Sequence, residues 1–374
     1  MTAFQSMKQN HSMQVLRLLR ARPRSRAELA RETGLTRAAM TGIVYELLQE
    51  GLLQEGKIAD ASVGRRPTLL ELRSDACYAV GLDLAREGVT LCFLDFTMRP
   101  VWERFYEVTQ PREEILRDVR SVVAEAKNRV RLLGLGVVSP GSIDKERGCV
   151  LTPKGMESWH GFSVSELKDA LSLPVILERD TGALAIAEKQ RMGTENNYLI
   201  LLADHGLGGG FVYEGRLFGT SRGLGCEIGH VAIDRNGPIC SCGNRGCAEL
   251  YASIPYALEQ ARERGREMDW QGLVTCAEQG DAVCLDVLSQ QAEALAEVSV
   301  SAVNLLEPDC IVLEGALCAA HWFFQPYIRH VLEERCFTEH GKSVRVETSS
   351  LPANARAVSA ANLALERFFE EVFP

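Results

Sequence analysis

The chain has 374 residues, 46% of them hydrophobic and 24% charged, which is ordinary globular usage and excludes a peptide-sized scaffold and long disorder. No stretch reaches the roughly 18 uncharged apolar residues of a membrane span, and the first residues carry no secretion signal, so a cytoplasmic protein with no membrane partner is expected. The net charge of −9 hides an asymmetry: residues 1–70 hold 11 Lys and Arg against 6 Asp and Glu, and the remainder holds 30 against 44. A small basic segment on an acidic body points to a polyanion partner for the first part alone.

Met13, Val15, Leu16 and Leu19 recur at helical spacing, and Pro23 stops that helix. Ser25-Arg-Ala-Glu28 reads as a capping box opening a second helix to about Thr33. Gly34 supplies a tight turn, and Thr36 caps a third helix through Glu50 whose Met40, Ile43, Val44, Leu47 and Leu48 face inward. Leu52–Glu55 and Thr68–Leu72 then read as two strands around a polar loop with Gly64-Arg65-Arg66-Pro67. The pattern predicts a winged helix-turn-helix over 1–75; the alternative is a three-helix cap on a larger domain. The outer face of the third helix would present Thr36, Arg37, Ala38, Thr41, Gly42 and Tyr45 to DNA, with Arg65 and Arg66 on the wing. Such contacts fall on phosphate more often than on base edges.

From Cys77 the hydrophobic period changes to two. Strands are expected at Tyr78–Leu84, Val89–Phe96 and Val101–Val108, a helix from Pro111 to about Val130, and a buried strand at Leu132–Val138. Helix and strand then alternate: a helix from Ser163, a strand Pro174–Leu177, a helix from Thr181, and strands Tyr198–Leu202 and Gly209–Tyr213. A long helix Asp281–Leu306, a strand Cys310–Leu313 and a final helix ending near Phe369 complete the chain. Residues 76–374 are thus an α/β body too large for one core, expected to form two lobes.

Most of the 12 cysteines stand singly in apolar contexts and read as reduced, buried thiols. Cys240, Cys242 and Cys247 cluster, nine residues beyond Gly229-His230. Three thiolates and an imidazole make a complete tetrahedral set for a structural zinc in a loop of about 226–250, with Gly243 and Gly246 supplying backbone freedom. Three reduced thiols, or a disulfide, are the alternatives.

The run Glu227-Ile-Gly-His230 … Cys240-x-Cys242-Gly-x-x-Gly246-Cys247-x-Glu249 resembles the signature of the ROK family of repressors and sugar kinases. Val138-Ser-Pro-Gly141, Leu151-Thr-Pro153 … Trp159, Pro174 … Glu178-Arg-Asp180 and Asn304 … Pro308-x-x-Ile311 follow the family's order. A winged helix ahead of this body is similar to the repressor branch, which includes the N-acetylglucosamine-, xylose- and glucose-responsive repressors. The resemblance implies an actin-like, two-lobed fold of the sugar kinase and heat-shock ATPase type, with a sugar held by Gly141, Asp180, Glu227, His230 and Glu249. It implies metal bound by His230, Cys240, Cys242 and Cys247.

Asp180 sits where the family's kinases have their base, but the phosphate turns depart from theirs. Asp83-Leu-Ala-Arg-Glu87 stands for Asp-x-Gly-Gly-Thr, Asp204-His-Gly-Leu-Gly208 for Gly-Thr-Gly-x-Gly, and Glu314-Gly315 for two glycines. Each change removes a glycine or adds a negative charge where polyphosphate would bind. Arg179 stands for a sugar-holding asparagine. The expectation is therefore a sugar- or sugar-phosphate-responsive transcriptional repressor without enzymatic activity. It would act as a homodimer or homotetramer on a double-stranded DNA operator, with a phosphotransferase-system protein as a further candidate partner. The alternative is an ATP-dependent sugar kinase with an appended DNA-binding module.

Overall fold

The structure, a computed structural model, describes residues 3–58, 68–152, 155–192, 196–219, 225–352 and 354–371. The chain forms two compact units, 1–183 with 354–374, and 184–353.

The first unit opens with α1 (Ala3–Ala21), β1 (Arg24–Ser25), α2 (Arg26–Thr33), α3 (Arg37–Gln49), β2 (Leu53–Ile58) and β3 (Thr68–Leu72). Local chemistry sets the boundaries. Ser25 and Glu28 form the reciprocal capping box, and Thr36 accepts from the Ala39 amide. Gly34, at φ 70°, turns the chain between α2 and α3. The three strands form an antiparallel sheet in the order β1-β3-β2; the two-residue β1 is too short for any sequence period to reveal. The loop expected to carry Arg65 and Arg66 lies outside the described residues.

The same unit continues with β4 (Tyr78–Leu84), β5 (Gly88–Asp95), β6 (Pro100–Glu107), α4 (Arg112–Lys127) and β7 (Leu132–Ser139). A small hairpin, β8 (Ser142–Asp144) and β9 (Cys149–Thr152), α5 (Ser165–Leu171) and β10 (Val175–Arg179) follow. These build a five-stranded sheet, β10-β7-β4-β5-β6, in which β10, β7 and β4 run parallel and β4-β5-β6 form an antiparallel meander. α6 (Asp180–Met192) leads into the second unit.

The second unit holds β11 (Tyr198–Ala203), β12 (Leu207–Tyr213), β13 (Arg216–Leu217), α7 (Glu249–Ala252), α8 (Ile254–Glu263), α9 (Trp270–Glu278) and α10 (Ala282–Leu306). It closes with β14 (Cys310–Gly315), α11 (His321–Arg335), α12 (Glu339–Lys342) and β15 (Arg345–Thr348). Its sheet runs β13-β12-β11-β14-β15, with β11, β14 and β15 parallel. Two five-stranded mixed sheets of this kind are those of the expected actin-like fold. The strands and long helices fall where the hydrophobic period put them, displaced by one to three residues.

The last helix, α13 (Ala355–Glu371), returns to the first unit. Gly81 and Gly136 are register partners on β4 and β7. A Cβ on Gly136 would lie 1.8 Å from the Ala360 carbonyl oxygen, and one on Gly81 2.4 Å from that of Ala357. Only glycine admits this helix-on-sheet approach. One apolar cluster joins Leu16, Leu29, Met40, Val44, Leu70 and Leu72 to Phe96, Ala361, Leu365 and Phe369, so the N-terminal helices and α13 share a core.

Gly136→Ala is expected to destabilise the first unit by about 3 kcal/mol or more, because backbone rather than a flexible side chain must yield. Gly42, in the interior of α3 with nothing within 4 Å of a built Cβ, gives the opposite sign: Gly42→Ala should stabilise by about 1 kcal/mol. Urea unfolding followed by α1–α3 and sheet-specific amide exchange distinguishes the two.

Candidate functional site

The outer face of α3 is as the helical period places it. Thr36, Arg37, Ala38, Thr41, Gly42 and Tyr45 are exposed, while Met40, Ile43, Val44 and Leu47 are buried. Tyr45 is 62% exposed, an arrangement that leaves a ring and a phenol with no role in the core. The Thr41 hydroxyl donates to the Arg37 carbonyl oxygen at 2.8 Å. Arg22, Arg24 and Arg26 are engaged with Glu28, Glu32 and Glu55; the Arg37 guanidinium makes no ion pair among the described residues. Arg31, on the exposed side of α2, is a further candidate phosphate contact that the sequence reading passed over, since its spacing alone gives only a solvated helix face.

In the first unit the remaining candidates collect at the carboxyl ends of three parallel strands. Asp83 pairs in register with Val138, and Ser139 with Arg179. The turn after β4, the Pro140-Gly141 turn after β7 and Asp180 after β10 therefore stand side by side, the usual position of a ligand crevice in open parallel sheets. Gly141 is exposed with φ 77°. Asp180 opens α6, and its carboxylate accepts from the Thr181 amide at 2.7 Å. Arg179 is buried and donates to the Thr181 hydroxyl at 3.1 Å, while Lys145 is the cation paired with the Glu178 carboxylate.

The turn between β4 and β5 is a tight hairpin with Arg86 and Glu87 at its tip, closed by bonds from the Ala85 amide to Gly88 (2.9 Å) and from the Gly88 amide to Ala85 (3.3 Å). Arg356 of α13 reaches Asp83 at 3.4 Å and Glu87 at 3.5 Å. Burial pushes the Asp83 carboxyl up from its ordinary 3.8 to about 6; Arg356 opposes this, and the Asp180 and Glu87 carboxylates add to it.

In the second unit Glu227 is exposed and precedes a single 3₁₀ turn, Ile228–His230. Gly229 lies against the Leu207 backbone, where a Cβ would meet its carbonyl oxygen at 2.0 Å. Glu249 opens α7, and its carboxylate accepts from the Leu207 amide at 3.4 Å, so close to Gly206 that a Cβ there would lie 2.5 Å from Oε2. Asp204-His205-Gly206 is the tip of the β11–β12 hairpin, with the Asp204 amide donating to the Gly206 carbonyl at 2.9 Å. Glu314, at the end of β14, is buried. Its Oε1 accepts from the Gly315 amide at 3.3 Å, and its Oε2 has no hydrogen-bond partner among the described residues.

His230, Cys240, Cys242 and Cys247 bring one ligand atom each to within 4.8 Å of one another. The Cys242 and Cys247 sulfurs are 3.7 Å apart, as are the Cys240 sulfur and His230 Nδ1. A tetrahedron built on Zn–S bonds has edges of about 3.8 Å, so soft donors and spacing both fit a closed metal site. Gly243 and Gly246 have φ 91° and 64°, and at Gly246 the loop leaves no room for a side chain, since a Cβ would meet the Asp234 carbonyl oxygen at 1.7 Å. All 12 cysteines are free thiols in the structure.

Known proteins share the sequence and fold of this chain over most of its length. The xylose repressor of Bacillus spizizenii is 28% identical over 98% of this chain and 97% of its own length. A glucokinase of Thermotoga maritima is 27% identical but covers 70% of this chain and 88% of its own. A crystal structure described as a ROK family transcriptional regulator, homologous to the E. coli MLC protein, superposes with a TM-score of 0.80 at 24% identity, covering 97% of each chain. Residues 79–367 match the ROK family, and the chain belongs to that family.

Proposed function

We propose that this protein is a sugar-responsive, DNA-binding transcriptional repressor of carbohydrate uptake or metabolism genes. The observation that carries the reading is the helix-turn-helix of residues 24–49, with an exposed polar face that includes an arginine unpaired among the described residues, built onto a sugar-kinase-type body. The extent of the similarities supports it: the xylose repressor aligns through the N-terminal segment, whereas the glucokinase covers only 70% of the chain.

In this reading residues 1–75 are the DNA-binding domain, and residues 76–374 take up a sugar or sugar phosphate through Gly141, Asp180, Glu227, His230 and Glu249. Carboxylates accept paired hydrogen bonds from vicinal hydroxyls, which suits that set. Thr36, Arg37, Thr41 and Tyr45 contact the operator, assisted by Arg65 and Arg66, and a homo-oligomer presents paired helices to a near-palindromic site. His230, Cys240, Cys242 and Cys247 hold a structural zinc that orders the loop bearing Glu227 and Glu249. A phosphotransferase-system protein is a further candidate partner, for which Ile239, 67% exposed on that loop, offers an apolar contact. No helix among the described residues is long and apolar enough to cross a membrane; the cytoplasmic location follows in this reading from the DNA-binding role.

A kinase is the second reading, favoured by Asp180 at its strand-to-helix junction. Against it stand carboxylates where the kinases' turns have none: Glu87 at the β4–β5 tip, Asp204 at the β11–β12 tip, and the buried Glu314. An anion brought to such positions meets repulsion.

Titration calorimetry against hexoses, pentoses, their phosphates and a non-hydrolysable ATP analogue separates the readings. A sugar-class ligand should bind, at least about tenfold more weakly to Asp180→Asn or Glu249→Gln, and the ATP analogue should not; tight nucleotide binding puts the kinase first. In fluorescence anisotropy Arg37→Ala should lower DNA affinity and reduce the salt slope by about one. Metal analysis should find one zinc per chain, lost in Cys247→Ser together with cooperative melting of the second unit.

The turn at Asp83 gives a pH test. Because its folded-state pKa lies above the ordinary value, the folded chain keeps a proton that the unfolded chain releases. This contribution to stability falls as pH rises from about 4 to about 6. Asp83→Asn should remove up to ~3 kcal/mol of that slope in urea titrations at stepped pH; an unchanged slope contradicts the assignment.

A further inference from the structure

α13 is held by charge at both ends. Near its start Arg356 pairs with Asp83 and Glu87 at the β4–β5 turn. In its second half it receives Arg20, from the last turn of α1. The Arg20 Nη1 pairs with Glu366 at 2.6 Å, with both side chains largely buried, and Nη2 donates to Asn362 Oδ1 at 2.8 Å. Nε and Nη2 approach the Met98 sulfur at 3.1 and 2.9 Å, and the guanidinium plane lies 4.9 Å from the centre of the Phe369 ring. Asn362 is fully buried and Met98 is held at φ 66°. These partners use the fork and the face of a guanidinium at once, which an ammonium group cannot do.

The surroundings leave little freedom around that contact. The Arg17 guanidinium donates to the Phe369 carbonyl. Phe96 stacks on Phe369 at 5.7 Å, and the apolar residues of α1–α3 belong to the cluster that includes Ala357, Ala361 and Leu365. α13 in turn sits on the backbone of Gly81 and Gly136. The path from β4 through α13 to α3 is one of packed contact.

We infer that Arg20 is a positioning residue for DNA reading: it clamps α1 to α13, so that the helix-turn-helix turns as one body with the sheet that carries Asp83 and Asp180. The half-site spacing accepted by an oligomer is then set through α13 and changes when effector binding shifts that unit. This inference rests on the DNA-binding reading above.

The test uses the full-length chain. A duplex is selected by the wild-type protein from a random-sequence pool, then resynthesised with two base pairs added between its half-sites, and as one half-site alone. The wild type should bind the lengthened duplex at least about tenfold more weakly than the selected one. Arg20→Met should discriminate less than about threefold while binding the single half-site as the wild type does, and Arg20→Lys should fall between them. Amide exchange in α1–α3 should accelerate in Arg20→Met relative to β4. If Arg20→Met does not fold, Glu366→Gln, which removes only the ion pair, should shift both readouts in the same direction. Spacing discrimination and exchange both unchanged in a folded variant overturn the inference, as does a selected site without a repeat. Failure of the wild type to select any sequence overturns the DNA-binding reading itself and this inference with it, so the two failures are distinguishable.

Discussion

The approach of α13 to the paired glycines Gly81 and Gly136 is the contact on which the first unit depends. A helix carbonyl oxygen that would lie 1.8 Å from a Cβ on Gly136 leaves no room for any other residue. The closeness lets Ala357, Ala361 and Ala364 lie against the sheet while Phe368 and Phe369 reach Phe96. Small residues at the crossing and large ones beyond it are how a helix packs flat on a strand pair at native density. Because the chain leaves this unit near residue 183 and re-enters near 354, its sheet is completed only by a contact more than 200 residues distant. Such closure is slow to form and ties the two ends of the chain to one cooperative element.

The charge distribution follows the same geometry. Both units end their parallel strands in carboxylates: Asp83 and Asp180 in the first, Asp204 and Glu314 in the second. A sheet's carboxyl edge with its following turns is a natural ligand crevice, and the signs of the groups there decide what it admits. Neutral polyols donate hydrogen bonds to carboxylates, while phosphates bring a second negative charge. Arg356 balances the pair Asp83 and Glu87 from α13. In the second unit Glu188, fully buried, is paired with Arg191 and accepts from Ser349, and its charge raises the Glu314 carboxyl further above its ordinary range, which burial has already lifted. Asp83 and Glu87 are thus compensated by Arg356, and Glu188 by Arg191, from within the chain.

Much of this was legible in one dimension, and particular residues show why. The capping box at Ser25 and Glu28, the cap at Thr36 and the turn at Gly34 are local: partners lie within four residues, so spacing alone determines the outcome. The period-two runs of β4, β5 and β7 and the long apolar stripe of α10 follow from burial on one or both faces. The metal-ligand set was legible because thiolates and imidazole at short spacing have few other uses. What escaped were β1, the β8–β9 hairpin, β13, α7 to α9, α11, α12 and β15. These elements are short, or, as in α11 with Pro326 inside it, carry a sequence that speaks against the structure they adopt, and tertiary packing overrides propensity there.

By itself, then, the sequence determined which segments are helix and strand in the long elements, where the helix-turn-helix turns, and which four metal-ligating side chains come together. Those outcomes rest on local hydrogen bonds, hydrophobic period and donor chemistry. Only the tertiary structure decided that Arg20 meets Glu366 and Asn362, that Arg356 pairs with Asp83 and Glu87, and that the core of the N-terminal helices continues into α13. Each of these joins residues more than 200 positions apart, and a pairing across such a distance depends on strand order and helix seating, which no spacing within a single segment encodes.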